Sequence, residues 1–93
     1  MDTFDIGETV IASITVKNSS DTLVDPATSM KIEVIGPNTY VPVLAATAMT
    51  KDSTGTYHYD IQTSGYTKGT YTIHYISTDS TRITIQTEYF KLE

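Results

Sequence analysis

Apolar and polar side chains alternate with a period of two along most of this chain. Every even position from Val10 to Val16 is apolar, and Ser13 and Thr15 lie between them. Successive side chains of a β-strand point to opposite faces of its sheet, so this alternation is typical of a strand with one buried face. The pattern recurs at residues 30–34, 56–62 and 70–76. It predicts a protein built from strands.

The segments between the alternating runs are rich in Gly, Pro, Asn, Asp and Ser, which favour turns. Pro42 cannot donate a backbone hydrogen bond, so we expect its strand at a sheet edge. The Ala-rich segment 44–50 has helical leanings but is shorter than the roughly 12 residues that an isolated helix needs. Together the runs and turns predict an all-β sandwich of seven short antiparallel strands, at residues 3–6, 10–16, 30–34, 40–44, 56–62, 70–76 and 83–92.

The apolar residues of the last predicted strand do not all fall on one face. Ile83 and Ile85 are odd, whereas Phe90 and Leu92 are even. A shift of one residue turns a side chain to the other face, so placing all four in the core requires an extra residue. We therefore expect a β-bulge between Gln86 and Tyr89.

Length and composition limit the classes of function. The chain has 93 residues, which suits one domain spanning 1–93. Six Lys and Arg residues against eleven Asp and Glu residues give a net charge of −5, so nucleic acids and anionic membranes are poor partners. The sequence has no cysteine, which excludes disulfides, thiolate metal sites and cysteine nucleophiles. No apolar run approaches the roughly 20 residues of a membrane-spanning helix, so we expect no direct membrane insertion.

Five segments occur in a characteristic order: Phe4–Val10, Leu23–Thr28, Ile35–Asn38, Asp52–Tyr57 and Lys68–Ile73. In this order and spacing the chain resembles the prokaryotic immunoglobulin-like domains of surface proteins, macroglobulin-like proteins and phage or viral structural proteins. The resemblance implies a seven-stranded antiparallel immunoglobulin-like β-sandwich that acts as a non-catalytic module. It transfers no catalytic residue and identifies no partner.

Tyrosines are the most distinctive candidate functional residues, with seven in the chain. Tyr71 begins a strand after Lys68-Gly69-Thr70, where it could form a tyrosine corner with its hydroxyl bonded to backbone upstream. The alternative is a core aromatic residue. Tyr40, Tyr66 and Tyr89 lie near turns or at uncertain parity, and exposed tyrosines bind proteins and sugars well. We predict them as candidate ligand contacts; alternatively they cover the rims of the sandwich.

Metal and cofactor sites are not indicated. His58 and His74 would face each other if residues 56–62 and 70–76 formed a hairpin. An immunoglobulin-like sandwich places these strands in different sheets, so we expect no metal pair and no cofactor. Asp21 and Asp25 lie in turns that lack the dense oxygen ligands of calcium loops, although a weak site between two loops remains an alternative.

Enzymatic activity is not indicated either. The sequence has no Gly-x-Ser-x-Gly nucleophile motif, and Glu8, Glu33 and Glu88 are placed as surface residues rather than as a paired acid and base. We expect a structural or interaction module, such as a spacer or adhesion domain, of a larger surface, secreted or virion protein. Its partners would then be neighbouring domains, with a protein or glycan ligand as a further candidate, and its location would be extracellular, at the cell surface or in a virion.

Two further interpretations concern function and origin. The alternative function is a carbohydrate-binding module that uses the exposed tyrosines. The terminal Leu92-Glu93 resembles what an affinity-tag junction leaves behind, so we interpret the chain as a domain excised from a longer protein.

Overall fold

The computed structural model describes residues 2–26, 28–37 and 42–93. No helix within these ranges has the length and apolar composition that crossing a membrane requires. The described residues form eight strands: β1 (Asp2–Phe4), β2 (Thr9–Thr15), β3 (Ser29–Ile35), β4 (Pro42–Ala48), β5 (Thr50–Ser53), β6 (Thr56–Gln62), β7 (Gly69–Asp79) and β8 (Arg82–Leu92).

The strands form two sheets of unequal width. The larger sheet has the order β1-β8-β7-β3-β4, and the smaller sheet has the order β2-β6-β5. Neighbouring strands are antiparallel except β1 and β8, which are parallel. The alternating side chains of both sheets meet in one shared hydrophobic core.

The core confirms most of the sequence alternation. All its members except Met49, which lies between β4 and β5, are buried on the inward-facing side of a strand. Ile32, Val34 and Ile73 from the larger sheet are at most 1% exposed, as is Ile61 from the smaller sheet. The remaining buried apolar residues are Val10, Ala12, Met30, Met49, Tyr57, Tyr71, Tyr75, Phe90 and Leu92. Leu92 is thus part of the packed core.

Two features of the predicted sandwich are wrong. The described part of the chain forms eight strands rather than seven, because Thr50–Ser53 forms an additional edge strand. All its side chains are exposed, so it carries no apolar alternation that would reveal it. The strands are also not all antiparallel, since β1 runs alongside the end of β8 in the same direction. The predicted edge position of Pro42 is confirmed, because β4 is the outer strand of the larger sheet.

The predicted bulge in the last strand is also wrong. β8 pairs with β7 residue by residue from Arg82 to Leu92 without a shift in register. Phe90 and Leu92 therefore point into the core, and Ile83 and Ile85 point to the opposite face, where they are 64% and 57% exposed. Every residue from 82 to 89 is exposed. Neither face of this part of β8 is buried, so the positions of its apolar residues do not indicate which face points to the core.

The turn between β5 and β6 presses against the segment that follows β2. Gly55 has a φ of 72°, and its carbonyl accepts a hydrogen bond of 2.7 Å from the amide of Val16. A Cβ atom at this position would lie 2.8 Å from the carbonyl oxygen of Val16 and 2.9 Å from the amide nitrogen of Val24. Glycine is therefore required here both by its backbone conformation and by the close approach of two other backbone segments.

We expect Gly55→Ala to lower the free energy of unfolding by about 3 kcal/mol, since a left-handed backbone and overpacking each cost about 1–2 kcal/mol or more. Urea unfolding followed by circular dichroism measures this loss.

Gly65→Ala is the matched control. Gly65 also has a positive φ, of 87°, but no described atom lies within 4 Å of a Cβ built there. Only the backbone cost applies to it, so we expect a loss of about 1 kcal/mol. Equal losses in the two variants would show that the close approach at Gly55 has no energetic effect.

Candidate functional site

Tyr66 packs into the sandwich through its ring. It lies between β6 and β7, and its ring centroid is 5.4 Å from that of Tyr71 at an interplanar angle of 21°. The ring also packs against the buried core. Burial raises the pKa of its hydroxyl above the ordinary value of 10.0, and the nearby Tyr71 and Tyr59 act in the same direction. Much of this side chain is therefore committed to internal packing.

Tyr71 lies at the centre of a row of aromatic rings. Its ring stacks on Phe90 with centroids 5.2 Å apart and an interplanar angle of 10°. Phe90 in turn contacts Phe4 edge to face, with centroids 6.2 Å apart. Together with Tyr66, these rings link the segment between β6 and β7 to the strands β7, β8 and β1. Stacked and edge-to-face pairs add to the free energy gained by burial alone.

The hydroxyl of Tyr71 bonds to the backbone upstream. It donates to the carbonyl of Thr67 over 2.7 Å and accepts from the amide of the same residue over 3.0 Å. Thr67 lies four residues earlier, two residues before β7 begins. These are the hydrogen bonds that the tyrosine-corner interpretation requires. They fix the backbone at the point where the chain passes from the smaller sheet to the larger one.

Tyr89 lies on a different surface from Tyr66. Its side chain lies on the outer face of β8, opposite Thr72 on β7, and is 53% exposed. Tyr40, the third predicted contact, lies outside the described residues. The structure therefore does not bring Tyr66 and Tyr89 onto one face. Their role as ligand contacts stays a prediction.

The two histidines lie in different sheets. His58 is on β6, where its Nδ1 is 2.6 Å from the carboxylate of Asp52. His74 is on β7, where its Nδ1 is 3.2 Å from the carboxylate of Glu33. β6 pairs with β2 and β5 rather than with β7, so the hairpin that would align the imidazoles does not form. Across residues 2–26, 28–37 and 42–93, no three His, Asp or Glu side chains are grouped as a metal site requires.

Asp25 is the centre of the most connected polar cluster. One carboxylate oxygen binds the Lys51 ammonium over 2.7 Å. The other accepts from the amide of Gly55 over 2.9 Å and from the hydroxyl of Tyr57 over 3.0 Å. The cluster ties the loop after β2 to the hairpin of β5 and β6. Sequence reasoning identified Asp25 only as a turn residue, because its partners lie 26 to 32 residues further along the chain.

These contacts also set the protonation of the cluster. The hydrogen bond from Lys51 lowers the pKa of Asp25 below its ordinary value of 3.8, and the Gly55 amide acts in the same direction. Burial raises the pKa of the Tyr57 hydroxyl, and its bond to Asp25 raises it further. The cluster thus holds an ionised carboxylate and a protonated phenol at neutral pH. Both serve structural contacts.

The other acidic turn residue considered for calcium binding is engaged as well. Asp21 lies 3.4 Å from the ammonium of Lys17 in an exposed ion pair. Asp25 would have to give up Lys51 or the Gly55 amide before it could bind a cation. The two carboxylates therefore have protein partners rather than the open oxygen arrangement of a calcium loop.

A groove of about 400 Å³ lies between the inner face of the β7–β8 hairpin and the loop after β2. Val16 and Tyr75 contribute apolar surface to its lining, and Asp25 and Arg82 contribute charges of opposite sign. The hydroxyl of Tyr75 donates to Glu88 over 3.0 Å. Burial, together with this bond to Glu88, raises the pKa of Tyr75 far above its ordinary value.

Comparison with known proteins gives no match, since no protein-family model, curated protein or solved structure shows significant similarity to the chain.

We expect Tyr71→Phe to lower the free energy of unfolding by about 1–3 kcal/mol, because it removes a hydroxyl that satisfies both backbone groups of one residue. The ring and its stacking on Phe90 are retained, so the loss reports the hydrogen bonds. Urea unfolding is the measurement.

Tyr89→Phe is the control for this substitution. It removes the same hydroxyl from an exposed ring, and we expect a change within about 0.5 kcal/mol. A loss below about 0.5 kcal/mol for Tyr71→Phe as well would mean that its hydroxyl does not stabilise the entry to β7.

Proposed function

We propose that this chain is an immunoglobulin-like sandwich domain that serves as a non-catalytic structural and interaction module of a larger surface, secreted or virion protein. Its role is to space or present neighbouring domains and to carry tension between them. The observation that carries the proposal is the parallel pairing of β1 with the end of β8. No enzymatic role is proposed.

The strand pairing supports an immunoglobulin-like arrangement. Such sandwiches place the second, fifth and fourth strands in one sheet and the third, sixth and seventh in the other, with an extra strand beside the third in some members. With β4 as that extra strand, the sheets β2-β6-β5 and β3-β7-β8 have the same order. β1 departs from the seven-stranded arrangement, because it lies beside β8 and not beside β2.

The position of the terminal strands supports a mechanical role. Asp2 pairs with Phe90 and Phe4 pairs with Leu92, so the chain enters and leaves the sandwich in the same direction. The backbone of Glu93 extends this contact, donating to Phe4 over 3.0 Å and accepting from Ile6 over 3.3 Å. Tension on the two ends would slide β1 along β8. The hydrogen bonds between them lie across that direction and would have to break together.

Carbohydrate binding is the second candidate function, and one observation favours it. An open depression of about 390 Å³ borders Tyr66 and includes Pro37, Val43 and Thr67. Apolar and aromatic lining suits a sugar ring. The mechanical role has the stronger support, since Tyr66 is stacked on Tyr71 and Tyr89 lies on another surface.

Single-molecule force spectroscopy tests the mechanical role. We expect a high unfolding force when the chain is held through Asp2→Cys and Glu93→Cys, because this geometry shears β1 against β8. The chain has no native cysteine, so the two attachment points are unique.

The control holds the same protein through Asp2→Cys and Tyr89→Cys. Residue 89 is adjacent to the partner of Asp2, so this force acts across the strands and separates their bonds one after another. We expect a lower unfolding force in this geometry. Equal forces in the two geometries would contradict a mechanical role for the terminal strands.

A further inference from the structure

Most of β8 lies at an uncovered edge of the larger sheet. β7 pairs with it along its whole length on one side. On the other side β1 covers only Phe90–Leu92. All residues from Arg82 to Tyr89 are exposed. We refer to Arg82–Tyr89 as the open edge of β8.

The hydrogen bonds at the end of β8 show which backbone groups point outward. The amide and carbonyl of Glu93 both bond to the β1 side. Residues of a strand alternate in the side to which these groups point, and β8 keeps its register with β7 throughout. Ile83, Ile85 and Thr87 therefore direct their amides and carbonyls away from β7. No other described strand lies beside them.

The side chains of the open edge are unusual for an exposed strand. Ile83 and Ile85 lie on its outer face at 64% and 57% exposure, and Ile85 is paired with Ile76 of β7. Proteins usually protect sheet edges with inward-pointing charges, proline, bulges or covering loops. This edge has charges at Arg82 and Glu88, but its backbone is unbulged and its outer face exposes isoleucines, which favour the addition of another strand.

The sequence of the open edge is complementary to itself in the antiparallel direction. When two copies are aligned about a twofold axis at Ile85, the isoleucines face each other and Ile83 faces Thr87. The same alignment places Arg82 of each copy opposite Glu88 of the other. Opposite charges stabilise directly facing positions, and twofold symmetry forms this pair twice. Ile83, Ile85 and Thr87, which present free backbone groups, would be the residues that exchange hydrogen bonds.

We infer that two copies of this chain associate through antiparallel pairing of their β8 open edges, centred on Ile85. The two five-stranded sheets then form one continuous sheet, with the isoleucines of both copies in a single apolar cluster on its outer face. The inner face of the open edge borders the groove beneath the loop after β2, whereas no other described strand occupies the side of β8 that faces away from β7. This surface is distinct from the β1–β8 contact on which the mechanical proposal rests, and the two can fail independently.

Sedimentation velocity from micromolar to millimolar protein tests the association. We expect a reversible dimer, and we expect Arg82→Glu and Glu88→Arg each to raise its dissociation constant at least about tenfold, because like charges then face each other at both ends. An equimolar mixture of the two variants restores matched pairs. We therefore expect the mixture to form a heterodimer when neither variant alone dimerises at the same concentration.

Ile85→Lys and Ile11→Lys form a matched pair of variants. Ile11 is 66% exposed on β2, at the edge of the smaller sheet, so both substitutions replace an exposed strand isoleucine. We expect Ile85→Lys to abolish the dimer by placing two ammonium groups opposite each other, and Ile11→Lys to leave it unchanged. Equal circular dichroism spectra would establish that both variants are folded.

Two results would overturn the inference. One is a chain that stays monomeric at millimolar concentration. The other is a dimer whose dissociation constant is unchanged by the Arg82, Glu88 and Ile85 substitutions, or equally changed by Ile11→Lys, which would place the contact on another surface.

Discussion

A single layer of side chains between two sheets of unequal width holds this protein together. The smaller sheet contributes Val10, Ala12 and Ile61 to this layer, and the larger sheet contributes residues such as Ile32 and Ile73. The three-stranded sheet is too narrow to cover the whole face of the five-stranded sheet. The strands at the centre of the larger sheet are buried on one face, whereas the first part of β8 is exposed on both. The exposed faces of this part of β8 follow from the unequal widths of the sheets, and its unpaired side follows from the shortness of β1, which pairs only with Phe90–Leu92.

Specific polar contacts close the ends of this layer. Asp25 joins the loop after β2 to Gly55 and Lys51. Thr63, which is fully buried, donates to the carbonyl of Glu8 over 2.6 Å and accepts from the amide of Gly7 over 2.9 Å. These bonds provide partners for backbone groups of Gly7, Glu8 and Gly55. They fix the connections between strands that the hydrophobic core alone leaves undetermined.

The sequence predicts those strands in which one face is buried and the other is exposed. The alternation around Ile32 and Ile73 predicts strands correctly because one face of each is buried. It fails at Thr50–Ser53, which buries nothing, and at Ile83 and Ile85, where neither face is buried.

The candidate sites follow a related rule. The contact of Tyr71 with Thr67 could be predicted because the two residues are close in sequence. The partners of Asp25 depend on how distant segments meet, for which the sequence carries no local signal. The open edge of β8 likewise emerges only from the sheet order.

The side of β8 that faces away from β7 is uncovered along most of its length. Amide hydrogen exchange measured by NMR at the lowest usable protein concentration tests this most directly. We predict slow exchange at Thr84, Gln86 and Glu88, whose amides point toward β7, and fast exchange at Ile83, Ile85 and Thr87, whose amides point away from it. Equally slow exchange at both sets of residues, unchanged on further dilution, would contradict the account.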